Sequence, residues 1–247
     1  GSLVGADGDA VIMAGKDVNL AASTVYAGQS AELHAGLIDD SGDINITSLQ
    51  NLSFDETKTR KKSFGLDVSK DFVSFSKETR TGNDKTLVTN AGSQIIATDN
   101  ITGNASRDIT LQGSLLDAGN NVNLNAGRNI NLLAGTDSYS EGQEQSTRRD
   151  GIGFSGDDNG FSVFAGNETR KNRTQTGENL AAATQINAGN NVNLTAEQDI
   201  LIAGSDVNAG KSITLDAKRD VVITTSTDTL ATQERNSFTR DGLTLTA

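Results

Sequence analysis

Residues 118–135 read AGNNVNLNAGRNINLLAG, and the same short unit occurs twice in succession within them. The unit Ala-Gly-x-Asn-(Val/Ile)-Asn-Leu begins at Ala118 and again at Ala126. Apolar and polar residues alternate in each copy, and Gly and Asn bound the alternating runs. This pattern predicts short β-strands joined by tight turns. The unit contains no residue typical of a nucleophile, a general base or a metal ligand.

Two longer periods surround this stretch. The segments DVNLAAS, DITLQGS and DILIAGS begin at Asp17, Asp108 and Asp199, at a spacing of 91 residues. Within each copy a period of about 21 residues relates apolar positions such as Ile101 with Val122. Since a repeated strand unit buries its apolar side by stacking on its neighbours, the sequence predicts an all-β, right-handed parallel β-helix with about 21 residues per coil.

Polar residues at the turns follow the same spacing. We expect Asn100 to stack with Asn121, Asp108 with Asn129 and Asp199 with Asp220. Ladders of identical amide side chains stabilise stacked strands, and Asn tolerates tight turns. Structure therefore accounts for the repeated Asp and Asn residues without catalysis.

The 21-residue rhythm is interrupted by β-hairpin excursions that recur about every 91 residues. We predict one elongated β-helix over residues 1–247. The predicted coils are 8–53, 91–136 and 184–228, and the predicted excursions are 54–90, 137–183 and 229–247, the last of them truncated. Gly1-Ser2 is expected to be a cloning scar and the chain a piece of a longer protein. The run Asp157-Asp158-Asn159-Gly160 is predicted to be a hairpin turn.

The excursions differ in composition from the coils. They contain 15 of the 21 Lys and Arg residues and every Phe: Phe54, Phe64, Phe72, Phe75, Phe154, Phe161, Phe164 and Phe238. One hypothesis is that these Phe side chains cover the flank of the β-helix. The other is that they form a contact surface for a membrane or a receptor. The first excursion has eight basic residues against six acidic residues in 55–85, which predicts no polybasic patch.

Composition also limits the function. A net charge of −11 argues against nucleic acid as a partner, because phosphate binding needs clustered Lys and Arg. Pro and Cys are both absent, which suits uninterrupted strand ladders and excludes disulfides and thiolate metal sites. No apolar run is long enough to span a membrane, and no signal-peptide pattern occurs at the start.

The coil unit together with the insertion ETKTRKKSFGLDVS (56–69), which returns as EQSTRRDGIGFSGD (144–157), resembles the haemagglutinin repeats of large Gram-negative exoproteins. These are filamentous haemagglutinin-like adhesins and contact-dependent growth inhibition proteins, and the insertion is most similar to the C-terminal-side repeat block of the inhibition proteins. The resemblance implies secretion to the cell surface through a two-partner outer-membrane transporter. It further implies adhesion, or delivery of a toxin at the outer membrane of a target cell.

An enzyme is the alternative to this interpretation, because parallel β-helices include polysaccharide lyases and hydrolases, whose sites need convergent carboxylates. The dense acidic cluster is Asp39, Asp40 and Asp43, in a five-residue insertion, and we expect a solvated loop there. His34 is the sole histidine, so neither a histidine-based triad nor a multi-histidine metal site is possible. We therefore predict no enzyme, no catalytic or metal site and no cofactor. A carbohydrate-active enzyme and a passive, self-associating shaft remain as alternatives.

Overall fold

The computed structural model describes residues 1–38, 41–69, 71–157 and 160–246. Every regular element in these ranges is a β-strand. None of the described residues forms a helix long and apolar enough to cross a membrane. The chain divides into two compact units, and each is described by itself: unit 1 comprises Gly1–Leu52, Val88–Ser138 and Asn179–Thr229, and unit 2 comprises Ser53–Leu87, Tyr139–Glu178 and Leu230–Ala247.

Unit 1 contains three parallel sheets of six short strands each. The first sheet consists of β1 (Leu3–Ala6), β4 (Thr24–Ala27), β9 (Gln94–Ala97), β12 (Leu115–Ala118), β17 (Gln185–Ala188) and β20 (Asp206–Ala209). The second consists of β2 (Ala10–Ala14), β5 (Ala31–Ala35), β10 (Ile101–Ala105), β13 (Val122–Ala126), β18 (Asn191–Ala196) and β21 (Ser212–Ala217). The third consists of β3 (Val18–Ala21), β6 (Ile44–Thr47), β11 (Ile109–Gln112), β14 (Ile130–Leu133), β19 (Ile200–Ala203) and β22 (Val221–Thr224).

The strand register confirms the parallel β-helix and its 21-residue coil. Ile101 pairs with Val122, and Ile109 pairs with Ile130, as the sequence predicts. Where an excursion intervenes, the step between stacked residues is 70, as from Leu116 to Ile186. The exception is the step of 65 from Ile44 to Ile109, because Ile44 follows the five-residue insertion. Each excursion therefore adds 49 residues and returns the chain to the same position in the ladder.

Stacked aliphatic side chains form one continuous core inside unit 1. In the third sheet Ile109 and Leu111 lie between the matching residues of the coils on either side, and both are fully buried. Every second residue of these strands points inward, which follows from the two-residue period of a β-strand. Alternation in the sequence is thus sufficient to fill the core.

The Ala-Gly pairs in the repeat make the corners between sheets. At Gly119 an added Cβ would lie 2.0 Å from the backbone carbonyl oxygen of Thr98 in the previous coil, so a side chain is excluded there. The amide N–H of Gly119 donates to the carbonyl oxygen of Ala97 at 3.0 Å. The repeated glycine is therefore required by close backbone approach between coils.

A polar ladder confirms the stacking predicted at the turns. Asn121 donates from Nδ2 to Oδ1 of Asn100 at 2.9 Å, and Asn191 donates in the same way to Asn121 at 2.9 Å. Asn129 donates from Nδ2 to Oδ1 of Asp108 at 3.0 Å. These bonds join consecutive coils and satisfy polar groups that would otherwise be left unpaired at the edge of the core.

Candidate contact surface

Unit 2 is built mainly from five long strands that form one sheet in the order β23-β16-β15-β8-β7. Their bounds are Leu49–Ser69 for β7, Phe72–Ala91 for β8, Gly135–Asp157 for β15, Gly160–Ala182 for β16 and Thr229–Thr246 for β23. β7 and β8 are antiparallel, because Arg60 lies beside Glu78 while Asp67 lies beside Ser74. Of the predicted turn at 157–160, Asp158 and Asn159 lie outside the described residues.

Two phenylalanine rings cover glycines on the neighbouring strands. Phe72 and Phe164 are buried, and their ring centroids lie 6.4 Å apart. A Cβ added at Gly151 would lie 2.8 Å from the Phe72 ring, and one added at Gly242 would lie 2.8 Å from the Phe164 ring. Backbone carbonyl oxygens would lie closer still, Val73 at 2.1 Å from the first and Ala165 at 2.2 Å from the second. The glycines therefore make room both for the neighbouring backbone and for the rings, an arrangement in which an aromatic side chain compensates for glycine in a strand.

A buried carboxylate lies close to the Phe164 ring. Glu168 accepts hydrogen bonds from Nε of Arg240, at 2.7 Å, and from its Nη2. The same guanidinium lies over the rings of Phe164 and Phe238, with Cζ 5.3 and 5.5 Å from the two centroids. Arg240 thus joins β23 to β16 by an ion pair and by cation–π contacts.

Three basic side chains converge on a second carboxylate, Glu78 on β8. Arg60 donates to it from Nε and Nη2 at 2.8 and 2.9 Å, Arg80 donates from Nε at 2.5 Å, and Nζ of Lys62 lies 3.2 Å away. The Glu78 side chain is 15% exposed, whereas the three basic side chains are 52–62% exposed. The carboxylate lies beneath the cations, and the cations face solvent.

This environment perturbs the charged groups. The hydrogen bond from Arg60, followed by those from Arg80 and Lys62, lowers the pKa of Glu78 to about 2, although partial desolvation opposes the shift. The same bond raises the pKa of Arg60 above its usual value. The hydroxyl of Ser76 on β8 donates to Asp150 on β15 at 2.6 Å and lowers the pKa of that carboxyl group. Both carboxylates are therefore charged at neutral pH.

Large apolar side chains are exposed on the same strands. Six of the eight phenylalanines of the chain are 45–84% exposed: Phe54, Phe64, Phe75, Phe154, Phe161 and Phe238. On β7, Leu66 and Val68 continue the exposed row that begins at Phe64. Phe154 and Phe161 stack with centroids 6.4 Å apart, so part of this apolar surface is ordered by ring–ring contact.

The acidic cluster considered as a catalytic site is not assembled as one in the described residues. Asp43 belongs to the polar ladder: its N–H donates to Asp17 at 3.0 Å, and its carboxylate accepts the N–H of Asp108 at 3.1 Å. Asp39 and Asp40 lie outside the described residues. Within the described ranges no group of three or more His, Asp or Glu side chains is placed to hold a metal ion.

His34 alternates with the inward residues of β5 and is half-buried on its outer side. Its Nε2 lies 3.5 Å from Oε2 of Glu32, and its Nδ1 lies 3.4 Å from Nδ2 of Asn104. His34 therefore faces away from the core of unit 1. Its neighbours belong to the stacked strands, so ladder contacts explain its surroundings.

The structure differs from the prediction that 55–85 forms no polybasic patch. Alternate residues of a strand share one face, so Arg60, Lys62 and Arg80 gather around Glu78, and Arg148 and Lys171 line the same groove. Counting charges along the chain misses this clustering, because the count adds together residues that lie on opposite faces of a strand. The signal in the sequence is the two-residue spacing of Lys58, Arg60 and Lys62 within a predicted strand.

The family profile of the hemagglutinin repeat matches residues 73–238, which is about two thirds of the chain. The chain therefore belongs to the hemagglutinin repeat family, which identifies it as a structural repeat of a filamentous haemagglutinin-like exoprotein. Such repeats are adhesin-type repeats, typical of secreted or cell-surface proteins. Neither the search of curated proteins nor the search of solved structures found a match.

Proposed function

We propose that this chain is a structural and interaction segment of a large exoprotein secreted by a Gram-negative bacterium, and that unit 2 contacts the surface of a target cell. The observation that carries the proposal is the exposure of six phenylalanines on the strands of unit 2. Large exposed apolar surfaces are rare on soluble proteins and mark sites of protein or membrane contact. The other hypothesis, that the Phe side chains only cover the flank of the β-helix, does not account for this exposure.

Unit 1 supports the proposal by providing a scaffold. The excursions interrupt the coil without changing the register of the ladder, as the 70-residue step in the first and second sheets shows. A solenoid of this type depends only on contacts between neighbouring coils, so it can carry inserted hairpins at regular intervals. In this proposal the coils set the spacing and the hairpins make the contacts.

The finer role within the exoprotein is adhesion or contact-dependent toxin delivery at the outer membrane of the target cell. The parent protein would reach the surface through a two-partner outer-membrane transporter. The absence of Cys and Pro fits this route, because folding after export needs neither a disulfide nor a slow prolyl isomerisation. The proposed location is the exterior or the surface of the producing cell.

Binding of the fluorescently labelled chain to whole Gram-negative cells tests the contact role. The variant Phe64→Ser, Phe154→Ser, Phe161→Ser changes three exposed side chains of unit 2. Its matched control, Val11→Ser, Met13→Ser, Tyr26→Ser, changes three exposed apolar side chains of unit 1. We expect the first variant to lower cell-bound fluorescence severalfold and the control to bind as the unchanged chain does.

Two results would contradict the proposal. If the unchanged chain binds no cells, direct contact is excluded and the passive shaft remains. If both variants lose binding equally, the contact is not a property of unit 2. Circular dichroism of each variant verifies that the strand content is retained.

A further inference from the structure

The two outermost coils of unit 1 leave part of the core ladder uncovered. β20, β21 and β22 end the three sheets on one side, and β1, β2 and β3 end them on the other. Within the described ranges no strand pairs with the outer edges of these six strands. Three inward positions of the last coil are 44–69% exposed, whereas the residues on which they stack are at most 5% exposed: Ile213 on Val192, Val221 on Ile200 and Ile223 on Ile202.

The first coil carries matching residues at the same positions of the ladder. Following each sheet from strand to strand places three pairs at equivalent positions: Val4 with Val207, Ile12 with Leu215 and Leu20 with Ile223. Val4 is 51% exposed, and Ile12 and Leu20 are partly buried. A first coil placed over a last coil would therefore continue these aliphatic ladders, and the unpaired strand edges would supply the hydrogen bonds of a parallel sheet.

The polar ladder ends in a carboxylate that lacks the partners of the earlier ones. Asp199 accepts the backbone N–H of Asp220 at 3.3 Å and Nε of Arg219 at 2.7 Å. Asp220 is exposed and accepts no backbone N–H in the described part of the chain. In the first coil, Lys16 precedes Asp17 as Arg219 precedes Asp220, and Asp17 begins the same ladder. Lys16 is exposed and forms no ion pair among the residues that the structure describes.

We propose that the first coil of one copy of this chain stacks on the last coil of a second copy, with Lys16 of the first bound to Asp220 of the second. The strands β1, β2 and β3 then pair in parallel with β20, β21 and β22, and burial of the apolar ladder positions drives the association. Lys16 offsets the repulsion between the stacked carboxylates of Asp17 and Asp220, as Arg219 does between Asp199 and Asp220.

The two surfaces of this contact are different from each other. The contact is therefore head-to-tail, and each pair of copies can add further copies at both ends. The inference concerns unit 1 and is independent of the proposed contact between unit 2 and a target cell.

Sedimentation velocity of the full chain over a range of concentrations tests the stacking. We expect the weight-average sedimentation coefficient to rise with concentration and to pass the value of a dimer. Ile223→Lys places a charge inside the proposed interface and should raise the dissociation constant by about tenfold or more. The matched control, Val222→Lys, adds the same charge at the neighbouring residue of β22, whose side chain points away from the core, and should associate as the unchanged chain does.

A charge exchange tests the ion pair. Lys16→Glu and Asp220→Lys each bring like charges together where two copies meet, so either variant alone should associate about tenfold more weakly than the unchanged chain. A mixture of the two variants brings opposite charges together at each contact between unlike copies. We expect the mixture to recover the association that each variant loses.

Several results would overturn the inference. They are a chain that stays monomeric at all concentrations, equal losses in Ile223→Lys and Val222→Lys, or a mixture that associates no better than either charge variant alone. Association that persists in Ile223→Lys but is lost in the variant Phe64→Ser, Phe154→Ser, Phe161→Ser would place the interface between copies in unit 2 instead. Circular dichroism verifies the fold of each variant; if Ile223→Lys misfolds, the charge exchange decides, because Lys16 and Asp220 are both exposed.

Discussion

Arg128 reaches from one coil to the carboxylate of Asp108 in the coil before it, with Nε 3.2 Å from Oδ1. Arg219 binds Asp199 in the same way, with Nε 2.7 Å from Oδ1. Between these two acids the ladder carries the neutral Asn129. In the coil that follows Asn129, the residue at the arginine position is Gln198, whose N–H donates to the carbonyl oxygen of Arg128. The ladder therefore places a cation over an acid and an amide over an amide, which limits repulsion between stacked carboxylates.

This relationship predicts a rescue by a second substitution. Asn129→Asp should lower the free energy of unfolding by about 1–3 kcal/mol, because it replaces the Nδ2 donor to Asp108 by a carboxylate oxygen. Adding Gln198→Arg should recover about 1 kcal/mol of that loss. Urea unfolding of the two single variants and the double variant gives the coupling. If the two changes are simply additive, the arginines do not neutralise the ladder.

The core ladder predicts a large loss of stability when one of its buried side chains is shortened. Leu111 lies between Ile46 and Leu132 of adjacent coils and is fully buried. Leu111→Ala should lower the free energy of unfolding by about 2–5 kcal/mol, from lost apolar contact and from the cavity that remains. Thr110→Ala changes the outward neighbour on the same strand and should cost less than about 1 kcal/mol. Equal effects in urea unfolding would mean that these side chains do not alternate as described.

The Glu78 cluster predicts a loss of stability in acid. The pKa of Glu78 is lowered from 4.5 to about 2, so its ion pairs stabilise the folded chain fully above about pH 4.5. This contribution is lost as pH falls from about 4.5 to about 2, when the folded carboxylate takes up its proton. Thermal unfolding followed across this window should show a smaller decline for Glu78→Gln than for the unchanged chain.

The control for the acid effect is Glu234→Gln. Glu234 is an exposed carboxylate of unit 2 and has no ion pair within the described part of the chain. Its removal should leave the decline between about pH 4.5 and pH 2 unchanged. A decline that Glu78→Gln does not reduce would show that other carboxylates control acid unfolding.

The coils could be predicted from the sequence because stacked positions carry the same kind of residue in successive coils. Ile101 and Val122 occupy equivalent positions 21 residues apart, and only a stacked coil buries both. The 70-residue step at Leu116 and Ile186 follows from the same register once the excursion is removed. Long-range pairing is thus encoded by periodicity, which is readable along the chain.

The contact surface could not be predicted to the same extent. Its main features depend on which hairpin pairs with which, and the sequence does not specify this. Glu78 and Glu168 each begin a Glu-Thr-Arg triplet, at 78–80 and 168–170. Arg240 binds Glu168 on the neighbouring strand β16, whereas Glu78 binds Arg60 within its own hairpin. The covering of Gly242 by Phe164 likewise needs β23 beside β16, a contact that local patterns do not reveal.

The two roles of phenylalanine in unit 2 predict opposite effects of substitution. Phe164 is buried over glycines and beneath Arg240, so Phe164→Ala should destabilise unit 2 by about 3–5 kcal/mol. Phe64 is 84% exposed, so Phe64→Ala should change stability by less than about 0.5 kcal/mol while it lowers binding of the chain to whole cells. Hydrogen exchange of the backbone amides of β16 and β23 measures the first effect within the intact chain. Unchanged protection in Phe164→Ala would show that the ring does not hold these strands together. Unchanged cell binding in Phe64→Ala would remove that side chain from the proposed contact surface.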